Sequence, residues 1–246
     1  MSFSYTKPVP TQHALILAEL ALAFAIGSTA AAQQAWRTLV TELSPTALVV
    51  GGPLVVHFLV FWSFAALFHY ADTYDAPQWI VRHRIQKQQR RYPPLRRTLQ
   101  VLALNQFVLT PPLLWLLAQA LHARGWQISP ELPGPASLLF DLTALAVSAI
   151  GSFYVAHRLL HRPWWLKRVH RVHHEFRTTT ALASEYAHPF EYVFGNFGVL
   201  AVGVLIFLPS APAIGLFTVL ALSTIIVHHS GYALPWAPYA APHDWH

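Results

Sequence analysis

Ten of the fifteen histidines fall between His157 and His246, and they come in groups. His157 and His161 stand four apart, which on a helix puts both imidazoles on one face. His170, His173 and His174 repeat that geometry at spacings of three and four. His228-His229 follows the last apolar stretch, and His243-Asp-Trp-His246 stands where the sequence stops. Neutral imidazole binds divalent transition metals well, and a site needs several ligands converging from different segments. With no cysteine in the chain, neither a disulfide nor a thiolate site is possible, so a transition metal must be held by imidazole or carboxylate. The histidines of these groups outnumber the four ligands of an ordinary zinc site, which favours two metals. His228 and His188 are further candidate ligands or partners that orient one, and Glu175, beside His174, is a candidate hydrogen-bond partner of a ligand ring.

The elements that must position these groups are membrane spans. Hydrophobic residues make up 54% of the chain and charged ones only 11%, against about 25% charged in an ordinary soluble domain. Four segments, 14–32, 46–70, 98–121 and 136–156, approach the ~20 apolar residues needed to cross a bilayer. Two shorter ones, 192–208 and 213–227, flank Pro209-Ser210-Ala211-Pro212 and predict a late hairpin that penetrates only partly. Pro111-Pro112 predicts a kink in the third span. The first stretch is longer than the ~7–15 residues of a signal core, so a retained anchor is expected. The fold class is therefore all-α and polytopic, with a cytoplasmic histidine-rich cap. One integrated membrane domain is expected, with a spanning region over 1–156 that contains the loop 71–97. A histidine-rich catalytic region over 157–246 includes the hairpin 192–227.

Charge sets the expected orientation. If the spans alternate and the hairpin returns to its starting side, 71–97 and 157–191 share a face and, with Lys7, hold all but Arg37 and Arg124 of the 16 basic residues. The positive-inside rule makes that face cytoplasmic, and the histidine groups fall on it. The formal charge of +6 thus reads as topology beside anionic headgroups rather than as a nucleic-acid surface. Polar groups within the spans, Glu19, His57, His69 and Asp141, are expected to form interhelical hydrogen bonds or to snorkel. His13, His83 and His122 read as interface residues, and Trp164-Trp165 as part of an aromatic belt. A zinc-dependent membrane hydrolase is a rival reading, but its His-Glu-x-x-His signature is missing from the sequence. A metal or proton transporter is another, but its polar groups should lie near the bilayer midplane rather than at span ends.

The residues also resemble a known family, the fatty acid hydroxylase superfamily, and within it the C-4 methylsterol oxidases and related sterol desaturases. Beyond the histidine groups, the resemblance lies in Arg84-Ile85-Gln86, Leu104-Asn105-Gln106-Phe107 with Pro111 after it, and Glu185 to Glu191 around Ala187-His188-Pro189. It continues in His229-Ser230-Gly231-Tyr232 and Leu234-Pro235-Trp236, so it runs from about Trp79 to the end. It implies a membrane di-iron enzyme that oxidises a lipid, first of all a sterol 4-methyl group, with dioxygen and electrons commonly delivered by cytochrome b5 with its reductase. Zinc is expected as a substitute after purification, because imidazole suits both metals. The implied ligands are His157, His161, His170, His173, His174, His229, His243 and His246. Two positions depart from the pattern: Ile225 and Pro242 stand where some members have histidine. The host membrane would be the endoplasmic reticulum in a eukaryote or the cytoplasmic membrane in a bacterium. The family's last box is His-x-x-His-His followed by a further cytoplasmic segment, so the chain is expected to be a truncated form whose parent continues with another histidine.

Overall fold

The computed structural model describes residues 13–86 and 92–237. Among them the chain is helical, with no strand beyond an isolated bridge between Arg84 and Tyr232. Five helices are long and apolar enough to cross a membrane: α3 (Ala47–Tyr74), α4 (Leu95–Ala123), α5 (Pro135–Leu160), α6 (Pro189–Phe207) and α7 (Ala211–His229). Before them come α1 (Ala14–Gly27) and α2 (Ala30–Glu42). The protein is an integral, multi-pass membrane protein.

The first predicted span is not continuous. α1 and α2 meet at 82°. Thr29 has extended backbone and its hydroxyl accepts from Ala32 N at 3.1 Å, which caps a new helix. The same hydroxyl donates to Ile26 O and Ser28 Oγ donates to Ala25 O, so the break at Ser28-Thr29 satisfies its own backbone groups. The late hairpin is longer than its apolar runs suggested. α6 and α7 have 19 residues each, about 28 Å at 1.5 Å per residue, close to the ~30 Å hydrocarbon core. Pro189 opens one helix and His228-His229 closes the other, residues that a count of apolar positions leaves out. Wide turns over Leu104–Leu109 precede Pro111-Pro112, and Leu95–Ala123 is one helix.

Cross-contacts sort the helix ends into two groups. At one end Arg84 donates to Asp75 at 2.7 Å, Arg97 to Glu175 at 2.7 Å, and Leu15 N to Trp236 O at 3.0 Å. At the other, Trp36 donates to Ser129 O, Trp126 to Pro209 O, Arg124 to Leu205 O, and Ser210 N and Oγ to the Asp141 carboxylate. α5 and α6 approach closely because Gly203 lies against Ser148 and Leu145, and Ser152 Oγ donates to Val199 O at 2.9 Å. The main core lies between α3 and α7, where Phe61, Ala65, Phe68 and Ala71 pack with Leu222, Ile226, Val227 and Tyr232.

The segment 181–187 is buried throughout although it is not part of a long helix. Irregular backbone inside a membrane protein survives only if its polar groups find protein partners. Asn105 Nδ2 supplies two, donating to Glu185 O at 3.0 Å and Ala187 O at 3.1 Å. The Glu185 carboxylate is held by Gln106 at 2.7 Å and by His57 Nε2 at 2.9–3.0 Å. Of the other polar groups in the spans, Glu19 accepts from Ser223 across α1 and α7, while His69 is exposed.

Candidate metal centre

α5 ends with His157 and His161 one turn apart, and Pro163 begins a separate short turn. The chain then winds back through 166–170 and a tight turn at His173–Glu175, which carries His170, His173 and His174 over the end of α5. Trp165 stacks on Phe190 at 5.0 Å and Arg168 lies over Trp164, so aromatic contacts fix this segment against the start of α6. α7 delivers His229 as its last residue.

The rings form one cluster. Donor atoms of His157, His161 and His170 all lie within 4.8 Å of one another. His161 Nε2 and His170 Nε2 are 3.2 Å apart, close to the ~3.3 Å separating two nitrogens that each stand 2.0–2.1 Å from one tetrahedral ion. His174 lies 4.6 Å from His170 and 5.4 Å from His161 by ring centroids, and His173 lies 5.3 Å from both His170 and His229. Six of the expected ligands, His157, His161, His170, His173, His174 and His229, therefore meet. His243 and His246 lie outside the described residues.

Hydrogen bonds choose the tautomer of three rings. His229 Nδ1 donates to Ile225 O at 2.7 Å, and His173 Nδ1 to Tyr186 O at 3.3 Å. A carbonyl only accepts, so each Nδ1 bears the proton and each Nε2 keeps its lone pair for a metal. His170 Nδ1 is 2.7 Å from a Glu191 carboxyl oxygen, and an ionised carboxylate, which only accepts, gives that ring the same tautomer. Burial, then the adjacent His161, pushes His170 down to about 4. Burial likewise pushes His173 down to about 4, and it lowers His161. These three rings are neutral at pH 7, as a ligand must be. The buried Glu191 Oε2 has no hydrogen-bond partner among the described residues. Neutral imidazoles backed by a carboxylate fit a divalent transition metal.

The lesser candidates part from the cluster. Glu175 does not hydrogen-bond a ligand ring: its oxygens accept from Arg97 at 2.7 Å and the Tyr186 hydroxyl at 2.5 Å. A basic side chain 78 positions away competes for it better than its sequence neighbour. His188 accepts from Phe190 N at 3.1 Å and caps the first turn of α6. His228, beside His229, is partly buried. Sequence reasoning missed Glu191 as a partner of His170, and the carbonyls of Tyr186 and Ile225. The residues that carry the family likeness also meet. Arg84 Nη2 donates to the Tyr232 hydroxyl at 2.9 Å, and that hydroxyl donates to Asp72 at 2.8 Å. Burial pushes Tyr232 up to about 12, so it stays a donor.

The fatty acid hydroxylase family profile matches residues 142–246, the stretch that holds every histidine group. Fatty acid hydroxylase domain-containing protein 2 of Macaca fascicularis is 34% identical over 219 residues, covering 87% of this chain and 66% of that relative. The chain belongs to the fatty acid hydroxylase superfamily. Methylsterol monooxygenase 2-2 of Arabidopsis thaliana is 29% identical over 205 residues, covering 83% of this chain and 76% of the relative. Very-long-chain aldehyde decarbonylase GL1-8 of Oryza sativa subsp. indica is 29% identical over 225 residues, covering 87% and 81%. This superfamily member spans just under two thirds of the length of the macaque relative. No solved structure matches it.

Proposed function

We propose that this chain is a membrane-bound non-haem di-iron oxygenase that oxidises a lipid, with a sterol C-4 methyl group or a related lipid carbon as its target. The reading rests on the convergence of six histidines from α5, the 166–175 segment and α7 on one cluster, two of them, His173 and His229, oriented by a bond from Nδ1 to a backbone carbonyl. His157, His161, His170, His173, His174 and His229 would hold the metals, with His243 and His246 as the remaining ligands. Bound iron would supply the activation of dioxygen needed to oxidise an unactivated C–H bond.

The chain's own part is to hold, orient and shield. The carbonyls of Tyr186 and Ile225 keep two ligand rings in one tautomer. Phe153, exposed on α5, stacks on His157 at 5.1 Å and gives an apolar approach from the bilayer. On the other side an open depression of about 560 Å³ is lined by His161, Leu166, Lys167, Arg171 and His174. Its basic rim suits an acidic electron donor such as cytochrome b5 with its reductase. The cluster lies at helix ends rather than mid-span, which favours this reading over a transporter.

The test is turnover by the purified, iron-loaded full chain in a bilayer mimic, offered a 4-methylsterol and, separately, a long-chain fatty acid. Oxidised product should form only with dioxygen and a reductant, and His173→Ala should abolish it. Oxygen-independent turnover, or activity untouched by that substitution, would overturn the proposal.

A further inference from the structure

Glu191 stands in the first turn of α6, 4% exposed, facing a His170 that is 1% exposed. Its Oε1 meets His170 Nδ1 at 2.7 Å, while Oε2 is buried without a hydrogen-bond partner among the described residues. The other two glutamates of this end are committed elsewhere, Glu175 to Arg97 and Tyr186, and Glu185 to His57 and Gln106. A carboxylate is costly to bury, and an apolar side chain of similar size commonly serves stability as well or better. Packing therefore does not explain Glu191. Its contact with the outer nitrogen of a ring whose inner nitrogen faces His161 does.

We infer that Glu191 is a positioning residue of the metal centre: it fixes His170 as the Nδ1–H tautomer, aims Nε2 at the site, and sets a carboxylate behind a ligand of a multiply charged cation. His188 and Pro189 serve the same end, because the cap on Phe190 N starts α6 where its first turn brings Glu191 to His170. This inference rests on the metal-centre reading above.

The experiment uses the full chain in a bilayer mimic, stripped of metal and titrated with Fe(II) or Co(II) alone against a competing chelator. Parent, Glu191→Leu, Glu191→Gln and Glu131→Gln are compared by metal affinity, the visible Co(II) spectrum and the thermal midpoint of the apo form. Losing such an outer partner costs ~10–100-fold in affinity, so Glu191→Leu should bind metal that much more weakly, with a shifted Co(II) band. Glu191→Gln keeps an acceptor oxygen but not the charge, and should fall between. Glu131→Gln, exposed at the far end, should leave metal affinity and spectrum unchanged. If Glu191→Leu does not fold, Glu191→Gln decides alone. Parent-like affinity and spectrum in the Glu191 variants, or a lowered apo midpoint with unaltered metal binding, would make Glu191 a packing group and overturn the inference. A parent chain that binds no metal would instead sink the metal-centre reading itself, and the inference with it.

Discussion

Two residues beyond His229, Gly231 takes φ +79°, and a Cβ there would meet Thr179 O at 2.8 Å. Its carbonyl accepts from Ile85 N at 3.0 Å, so the glycine joins the turn after α7 to the Arg84 segment, where Asp72, Tyr232 and Arg84 bond in series. A left-handed backbone at a non-glycine residue costs of order 1–3 kcal/mol, and the backbone clash adds to it. Gly231→Ala should therefore lower the thermal midpoint and, by moving the end of α7, weaken metal binding through His229; unchanged values for both would show that the turn is loose. At this scale the ligand types were legible, because imidazoles at spacings of three and four are a local pattern. The atoms that orient them were not. Tyr186 O and Ile225 O belong to backbone, which no residue type announces, and Glu191 reaches a ring 21 positions away.

Helices that apolar runs marked out were found within a few residues of their ends, since a span of ~20 apolar residues is a long signal. What the runs could not carry was the break at Thr29, made by one hydroxyl capping a new helix, or the buried course of 181–187. That segment reads as a loop, and its place inside the bundle depends on a side chain on another helix. Asn105, in the wide turns of α4, donates to two of its carbonyls. Asn105→Leu keeps the volume but orphans both acceptors, at about 1–3 kcal/mol for each buried group left unpaired. The expected result is a clear fall in the unfolding midpoint in detergent. Because Tyr186 lies between the two carbonyls and its own carbonyl holds His173, metal affinity should fall as well. A variant as stable as the parent would mean that the loop is held by its apolar contacts alone.

Orientation is a property of the whole molecule. The ends Tyr74, Leu95, Leu160, Pro189 and His229 are tied together by contacts around the histidine cluster, and the connections 124–134 and 208–210 are tied to each other at the far end. Among described residues, the near end holds Arg82, Arg84, Arg96 and Arg97 before α4 runs inward, and Arg158, Arg162, Lys167, Arg168, Arg171 and Arg177 around the cluster. The far end holds Arg37 and Arg124, and Arg37 is paired with Glu131 at 3.8 Å. Such a bias in short connections sets orientation, because basic residues are retained on the cytoplasmic side. The near end, with the histidines, should thus face the cytoplasm. The chain has no cysteine, so single introduced thiols can report the side without background. Tyr92, Gln127 and Arg177 are all exposed, the first and last at the near end and Gln127 at the far one. In sealed vesicles of known orientation, an impermeant thiol reagent applied from the cytoplasmic side should label Tyr92→Cys and Arg177→Cys and spare Gln127→Cys until the membrane is opened. Labelling of Gln127→Cys alone would invert the molecule and put the centre out of reach of a cytoplasmic electron donor. Opposite labelling of Tyr92→Cys and Arg177→Cys would break the five-span arrangement itself, since α4 and α5 must together return the chain to the side it left.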